Sequence, residues 1–95
     1  MSTYFVVNCT INDAALLEEY MQGVAPSVGL VPMKVLAVDN DSEVVEGTPA
    51  GRRTVLLEFD DADAFRTWYH SPEYQAAVGK RLEATEGFSV LVQGL

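Results

Sequence analysis

The stretch TYFVVNCTI, residues Thr3–Ile11, decides the fold, because its alternation separates the two faces of a β-sheet. The odd positions are all apolar: Phe5, Val7, Cys9 and Ile11. The even positions mix apolar and polar side chains: Tyr4, Val6, Asn8 and Thr10. Alternation with a period of two is typical of a strand with one buried face. We therefore predict a strand whose odd residues face helices and whose even residues form a second, amphipathic face.

Helix signals follow this strand and recur in the second half of the chain. Asp13, Asp61 and Ser71 are residue types that cap helix N-termini, and Pro72 suits the first position of a helix. The first helix carries one apolar stripe, formed by Leu17, Tyr20, Met21, Val24 and Val28. Pro26 lies within that stripe and should end or kink the helix, because its ring clashes with the preceding turn. The pattern predicts one helix after the first strand and a second helical region that is split at Ser71-Pro72.

Apolar runs between the helices predict the remaining strands, at residues 33–38, 43–46, 52–59 and 88–92. Gly87 would close the last helix. The resulting order, β-α-β-β-α-β, is typical of the α+β class and of the ferredoxin-like fold, with one antiparallel sheet and the helices on one face. Strands 3–11 and 52–59 would lie side by side at its centre. The 95 residues leave room for one domain, residues 1–95.

The face of this sheet that the helices do not cover must meet water or another chain. Its expected residues are Tyr4, Val6, Asn8, Thr10, Thr54, Leu56 and Glu58. A contiguous apolar surface usually marks an interface or a ligand groove. The sequence therefore predicts a homodimer that packs its open sheet faces together around a two-fold axis. Asn8 and Glu58 would line a cavity between the sheets.

Composition and charge exclude several classes of protein. Hydrophobic residues make up 48% of the chain, which is a globular composition. Fourteen acidic residues against six Lys and Arg give a net charge of -8, which disfavours nucleic acid and anionic membrane surfaces as partners. One cysteine excludes an internal disulfide, and no metal-ligand cluster is present. The chain has no apolar run of membrane-spanning length and no signal peptide, so we expect a cytoplasmic protein.

Nearly the whole chain, from Tyr4 to Gly94, resembles a known family, and the resemblance is most specific from Arg53 to Gln75. The residues that carry the resemblance are Arg53-Thr54-Val55-Leu56-Leu57-Glu58-Phe59, Ala64, Trp68-Tyr69, Ser71-Pro72-Glu73-Tyr74-Gln75 and Arg81. They are similar to the signature of DUF1330, a bacterial family of small proteins of unassigned function. The resemblance implies a dimeric α+β barrel built on the ferredoxin-like fold, and it brings no established reaction. Relatives of the wider fold include cofactor-free monooxygenases and muconolactone-type isomerases, but fold analogy does not transfer chemistry.

Glu58 is the candidate catalytic residue. A carboxylate flanked by Leu57 and Phe59 in a central strand should be partly desolvated, which would raise its pKa toward the range of a general base. An ion pair with Arg53, with Arg81 or with an arginine of the partner subunit would give Glu58 a structural role instead. The same two arginines are the candidate ligands for an organic anion, because a guanidinium binds a carboxylate through two parallel hydrogen bonds. Pairing with the chain's own carboxylates is the alternative.

Aromatic and nucleophilic side chains give weaker candidates. Tyr20, Tyr69 and Tyr74 could each bring a hydroxyl to a ligand, and Asn8 could bring its side-chain amide. Trp68 lies on a core stripe and should pack there, with its N–H bonded to a nearby carbonyl. The single histidine, His70, is expected at an exposed helix end. Cys9 lies on the apolar face of its strand, where a thiol is a small buried hydrophobe rather than a nucleophile.

Three functional hypotheses follow. The first is a homodimer that binds a small organic ligand in a cavity on the open sheet face, without a tightly bound cofactor. The second is a cofactor-independent enzyme of that cavity, a proton-transfer isomerase or a monooxygenase-like protein. Glu58 would be its base, and Arg53 or Tyr69 would stabilise the anion. The third is a structural dimer whose interface is filled and binds no ligand.

Overall fold

A computed structural model describes all residues, 1–95, as a four-stranded antiparallel sheet with helices on one of its faces. The strands are β1 Thr3–Ile11, β2 Met33–Asp39, β3 Arg53–Phe59 and β4 Thr85–Gln93. The helices are α1 Ala14–Val24, α2 Ala62–Tyr69 and α3 Pro72–Ala84, and a short 3-10 helix, Ala25–Ser27, follows α1. This is the predicted ferredoxin-like α+β fold.

The sheet order is β2-β3-β1-β4, so β1 and β3 lie at the centre as predicted. Their register pairs Tyr4 with Glu58, Val6 with Leu56 and Asn8 with Thr54. On the other face, the odd residues of β1 are directed at the helices and Phe5, Val7 and Cys9 are buried. They join Phe59, Phe65, Trp68 and Tyr74 in the hydrophobic core. The assignment of the two faces from the alternation in β1 is therefore confirmed.

Side-chain caps fix where the three helices begin. The Leu16 amide donates to the Asp13 carboxylate at 3.0 Å, and the Ala64 amide donates to the Asp61 carboxylate at 2.7 Å. The Tyr74 amide donates to the Ser71 hydroxyl at 3.1 Å, and Pro72 begins α3. Each cap satisfies a backbone N–H that has no partner within its own helix. All three predicted caps are confirmed.

Three local predictions are wrong. Residues 43–46 form no strand, because the loop between β2 and β3 is tied to the sheet through side chains instead of a backbone ladder. Helix α3 ends at Ala84 and Gly87 lies within β4, where it faces Cys9 so closely that a Cβ would overlap the Asn8 carbonyl. Val28 lies beyond α1 and is exposed, because Pro26 enters the 3-10 helix that follows Val24.

The helical layer leaves edge strand β2 largely uncovered. Helices α1, α2 and α3 lie over the middle of the sheet, whereas Val35 and Val38 of β2, which face the same side, are 60% and 47% exposed. A gap therefore exists between α1 and β2. None of the helices has the length and apolar character that spanning a membrane requires.

Candidate functional site

An apolar cavity of about 150 Å³ lies between helix α1, strand β2 and the helix-covered face of the sheet. Fourteen of its 17 lining residues are hydrophobic, so its walls favour an apolar occupant. The sheet contributes Phe5, Val7, Cys9, Val55 and Leu57, and α1 contributes Leu17, Tyr20, Met21 and Val24. Val28, Val35 and Val38 form the side toward the uncovered edge of β2, where their exposure marks the mouth.

Arg53 lies at this cavity and not on the open face of the sheet. It pairs with Cys9 at the start of β3, on the helix-covered side, and only 8% of the residue is exposed. Its guanidinium donates to the Asn40 side-chain oxygen and, at 3.8 Å, to the Met21 sulfur. Both acceptors are neutral, so the buried positive charge of Arg53 has no carboxylate partner.

Arg81 reaches the same cavity from the last turn of α3. Its Nε is buried and makes no hydrogen bond, and its guanidinium forms no ion pair. Most buried polar groups in proteins have a partner, and a charged group that lacks one carries a large desolvation cost. Arg81 is therefore the most conspicuous unsatisfied donor in the molecule.

A pair of buried tyrosines adjoins the two arginines. The hydroxyl oxygens of Tyr20 and Tyr74 lie 3.1 Å apart, and their rings meet edge to face. Burial raises the pKa of Tyr20 well above its ordinary value, and Tyr74 raises it further, while the charges of Arg81 and Arg53 offset part of the shift. Tyr20 therefore keeps its proton at neutral pH and is a hydrogen-bond donor.

Asn8 lies outside this cavity and fastens a loop. It is buried, and its amide nitrogen donates to the Gly51 carbonyl at 3.0 Å and to the Thr54 hydroxyl at 3.2 Å. Its side-chain oxygen accepts from the amides of Ala50 at 2.8 Å and Gly51 at 3.1 Å. A Cβ at Gly51 would overlap the Cys9 carbonyl, so the loop lies directly against β1. All of this hydrogen bonding is internal, so Asn8 holds the loop against the sheet.

Glu58 lies on the open face, opposite the side that holds Arg53 and Arg81. Its neighbours across the strands are Tyr4 and Lys34, and its carboxylate makes no hydrogen bond or ion pair. The expected ion pair with either arginine is therefore absent, because the alternation of β3 directs residues 53 and 58 to opposite faces. The expected proximity to Asn8 is absent as well, since Asn8 pairs with Thr54, four residues along the strand.

The other candidates have structural surroundings. Tyr69 stacks on Phe65 at 5.3 Å and does not line the cavity. Trp68 is buried as predicted and lines the cavity, but its N–H donates to the Ser27 hydroxyl at 3.1 Å rather than to a carbonyl. His70 is exposed at the end of α2, and the thiol of Cys9 is buried in the core. No group of three or more His, Cys, Asp and Glu side chains lies together where it could hold a metal ion.

The sequence predicts a cavity on the open face, whereas the apolar cavity of the structure lies under the helices. The open face of the single chain has a polar depression of about 380 Å³ between Asn8, Thr54 and the loop of residues 42–51, and it is more open to solvent than the apolar cavity. Sequence reasoning chose three residues that line the apolar cavity, Tyr20, Arg53 and Arg81, and missed its walls from α1 and β2. Those walls give no chemical signal, because valine and methionine there have the same pattern as core residues.

Comparison with known proteins agrees with this architecture. The family described as "Domain of unknown function (DUF1330)" matches residues 2–95. A protein of unknown function from Rhodopseudomonas palustris superposes with a TM-score of 0.82 at 16% identity, covering 99% of this chain and 82% of that one. A dimeric ferredoxin-like protein of unknown function from Jannaschia sp. CCS1 gives 0.70 at 14% identity, with coverages of 99% and 100%.

An enzyme also shares the fold. A variant of SnoaB, a cofactor-independent oxygenase from Streptomyces nogalater, superposes with a TM-score of 0.62 at 16% identity and covers 98% of this chain and 92% of that one. At such identities the likeness shows the fold alone. No curated protein matches the chain.

Proposed function

The chain belongs to the DUF1330 family, which has no assigned activity, and from its structure we propose that it is a homodimer that binds a small organic ligand. The binding site in each subunit is the apolar cavity between α1, β2 and the sheet. The observation that carries this proposal is a cavity of about 150 Å³ with a mouth beside β2, in a chain whose core is otherwise filled by large aromatic side chains. Apolar cavities of roughly this size bind benzene-sized molecules.

The homodimer is supported by the open face of the sheet. One row of apolar side chains crosses all four strands, formed by Ala37, Leu56, Val6 and Val90. Phe88 and Val92 of β4 extend it, and they are 52% and 43% exposed. Two copies of such a face bury each other when they meet around a two-fold axis. The Jannaschia protein of the same fold is described as dimeric, which favours the same assembly here.

The two other hypotheses are less well supported. The enzyme hypothesis assigns Glu58 as its base, and Glu58 lies across the sheet from the cavity. Fold similarity to SnoaB is therefore the main support for an oxygenase-like activity. The hypothesis of a filled structural dimer does not account for the cavity or for the unpaired arginines at its wall.

Thermal unfolding in the presence of toluene, a neutral apolar probe, tests whether the cavity accepts a ligand. A molecule that binds only the native state raises the Tm. We expect toluene to raise the Tm of the parent protein and to have a much smaller effect on Met21→Trp, which fills the cavity wall from α1. Glu18→Trp, on the exposed side of the same helix, is the matched control and should respond like the parent. A parent Tm that toluene leaves unchanged up to its solubility limit would contradict the proposal.

A further inference from the structure

We infer that the ligand of this cavity is a small organic anion, with an apolar body and one carboxylate-like end that Arg81 and Arg53 bind. The inference rests on the proposed function and adds a chemical class to it. A neutral apolar ligand would suit the walls of the cavity, but it would leave the buried Arg53 guanidinium without an anion and the buried Nε of Arg81 without an acceptor.

The distribution of charge in the chain is the first argument. Fourteen acidic residues outnumber six Lys and Arg, so a cation that needs a carboxylate partner has many to choose from. Arg52, Arg66 and Lys80 each form an ion pair, and all three pairs are largely exposed. Arg53 and Arg81, the two arginines at the cavity, form none. Lys34, exposed on β2, forms no ion pair either, but water surrounds it. Arg53 and Arg81 are therefore the two cations that line the cavity without an anion.

The cost of burying these arginines is the second argument. Arg53 is 8% exposed with only neutral acceptors, and Arg81 has a buried Nε with no acceptor. A desolvated cation without an anion destabilises a protein, and a bound anion removes that cost. Guanidinium groups also bind carboxylates through two parallel hydrogen bonds, which fixes the orientation of the ligand.

The tyrosine pair adds a donor of the same kind. The two hydroxyls have two protons between them, and the single bond between Tyr20 and Tyr74 uses one. Only Tyr20 lines the cavity, so its proton can be donated to a ligand oxygen when Tyr74 is the donor in the bond between the two. Arginine and protonated tyrosine both offer hydrogen-bond donors, and no carboxylate or imidazole lines the cavity. A site that offers these donors and no carboxylate favours a ligand whose polar end accepts hydrogen bonds.

The dimensions of the cavity limit the apolar body. About 150 Å³ lined by 14 hydrophobic residues suits a single ring or a short branched chain, because apolar cavities of roughly this volume bind benzene. Benzoate combines such a ring with one carboxylate. It is therefore a suitable probe, and its neutral isostere benzamide and the uncharged hydrocarbon toluene are its comparisons.

Titration of the parent protein with these three probes, followed by NMR chemical shifts of the cavity residues, tests the inference. We expect benzoate to bind at least about tenfold more tightly than benzamide, since a hydrogen-bonded charge contributes more than a neutral group. Arg81→Gln should remove most of that preference, and Arg81→Lys, which keeps the charge, should retain part of it. Arg66→Gln, an exposed change that alters the net charge equally, is the control and should bind benzoate like the parent.

The outcomes separate the inference from the proposed function. Binding of toluene and benzamide as tight as that of benzoate would overturn the anion inference and leave the ligand cavity intact. Benzoate affinity that Arg81→Gln and Arg53→Gln both leave unchanged would overturn the assignment of the arginines. If no probe shifts any resonance of the cavity, the proposed function falls together with the inference. The comparison of probes on the parent needs no variant, so a variant that fails to fold does not decide the result.

Discussion

Tyr20 shows how a single buried side chain gives the whole fold a pH dependence. Its hydroxyl is buried against Tyr74, which raises its pKa above the ordinary value of 10.0. The folded chain therefore keeps this proton at a pH where the unfolded chain loses it. The stabilisation is fully present below about pH 10 and is lost as the pH rises further, because the unfolded state then binds fewer protons than the native state.

We expect the free energy of unfolding of the parent to fall above about pH 10 with a contribution of about 1.4 kcal/mol per pH unit from this group. Tyr20→Phe is less stable at neutral pH, since Tyr74 loses its partner, but its stability should decline less steeply in alkali. Urea unfolding of both proteins at several pH values measures the difference. Parallel curves above pH 10 would show that the Tyr20 hydroxyl titrates in the folded state as it does in the unfolded one.

Glu58 is the residue for which the structure changes the expectation most. It lies half-buried on the open face, has no ion-pair partner, and is separated from the cavity by the sheet itself. We expect Glu58→Gln to change the Tm by little and to leave the affinity for toluene and benzoate unchanged. Thermal unfolding and the same NMR titration measure both. A loss of ligand affinity with normal stability would return Glu58 to the functional site and restore a base to the enzyme hypothesis.

Individual residues of the site were predictable where their chemistry is distinctive. Tyr20, Arg53 and Arg81 stand out in a chain with few cations and few hydroxyl-bearing aromatic residues, and the structure places all three at one cavity. Asn8 and Tyr69 are equally distinctive, but Asn8 bonds to a loop and Tyr69 stacks on Phe65. Residue type therefore selects candidates, and only the three-dimensional surroundings separate a ligand contact from an internal one.

At the scale of the element, the junction between α2 and α3 depends on one hydroxyl. Ser71 accepts from the Tyr74 amide at 3.1 Å and donates to the Trp68 carbonyl at 2.7 Å, so it joins the end of one helix to the start of the next. Ser71→Ala should cost about 1 kcal/mol, the usual loss for an N-cap. Chemical denaturation measures this cost, and Thr67→Ala, an exposed position on α2, is the control. Equal midpoints for Ser71→Ala and the parent would show that water replaces the cap without loss.

Elements with a strong local signal were predictable from the sequence, and those decided by neighbouring strands were not. The bounds of β1 follow from its alternation, and the start of each helix follows from its cap. The predictions of a strand at residues 43–46 and of the start of β4 were wrong, because the structure of both segments depends on residues distant in the sequence. Asn8 fixes the end of the 42–51 loop, and β1 extends the pairing of β4 back to Thr85.

At the scale of the whole molecule, the two faces of the sheet differ in what they contact. The helix-covered face contains the core and the apolar cavity, whereas the open face has apolar side chains exposed to solvent in the single chain. The alternation of β1 predicts this division, because a one-residue shift of register would exchange the faces. It does not predict the cavity, which depends on how far α1 stands from β2.

The proposed two-fold interface gives the last prediction. Val6 lies in a central strand between Leu56 and Val90, within the apolar row of the open face and outside the hydrophobic core cluster. Val6→Asp therefore places a charge in the middle of the interface twice, once from each subunit, without removing a side chain from that cluster. We expect the parent to be a dimer at micromolar concentration and Val6→Asp to be a folded monomer. Light scattering coupled to gel filtration measures the mass, and circular dichroism verifies the fold. Leu82→Asp, an exposed leucine on α3, is the matched control and should remain dimeric. A monomeric parent, or a Val6→Asp protein that keeps the dimer mass, would show that the open face is not the interface.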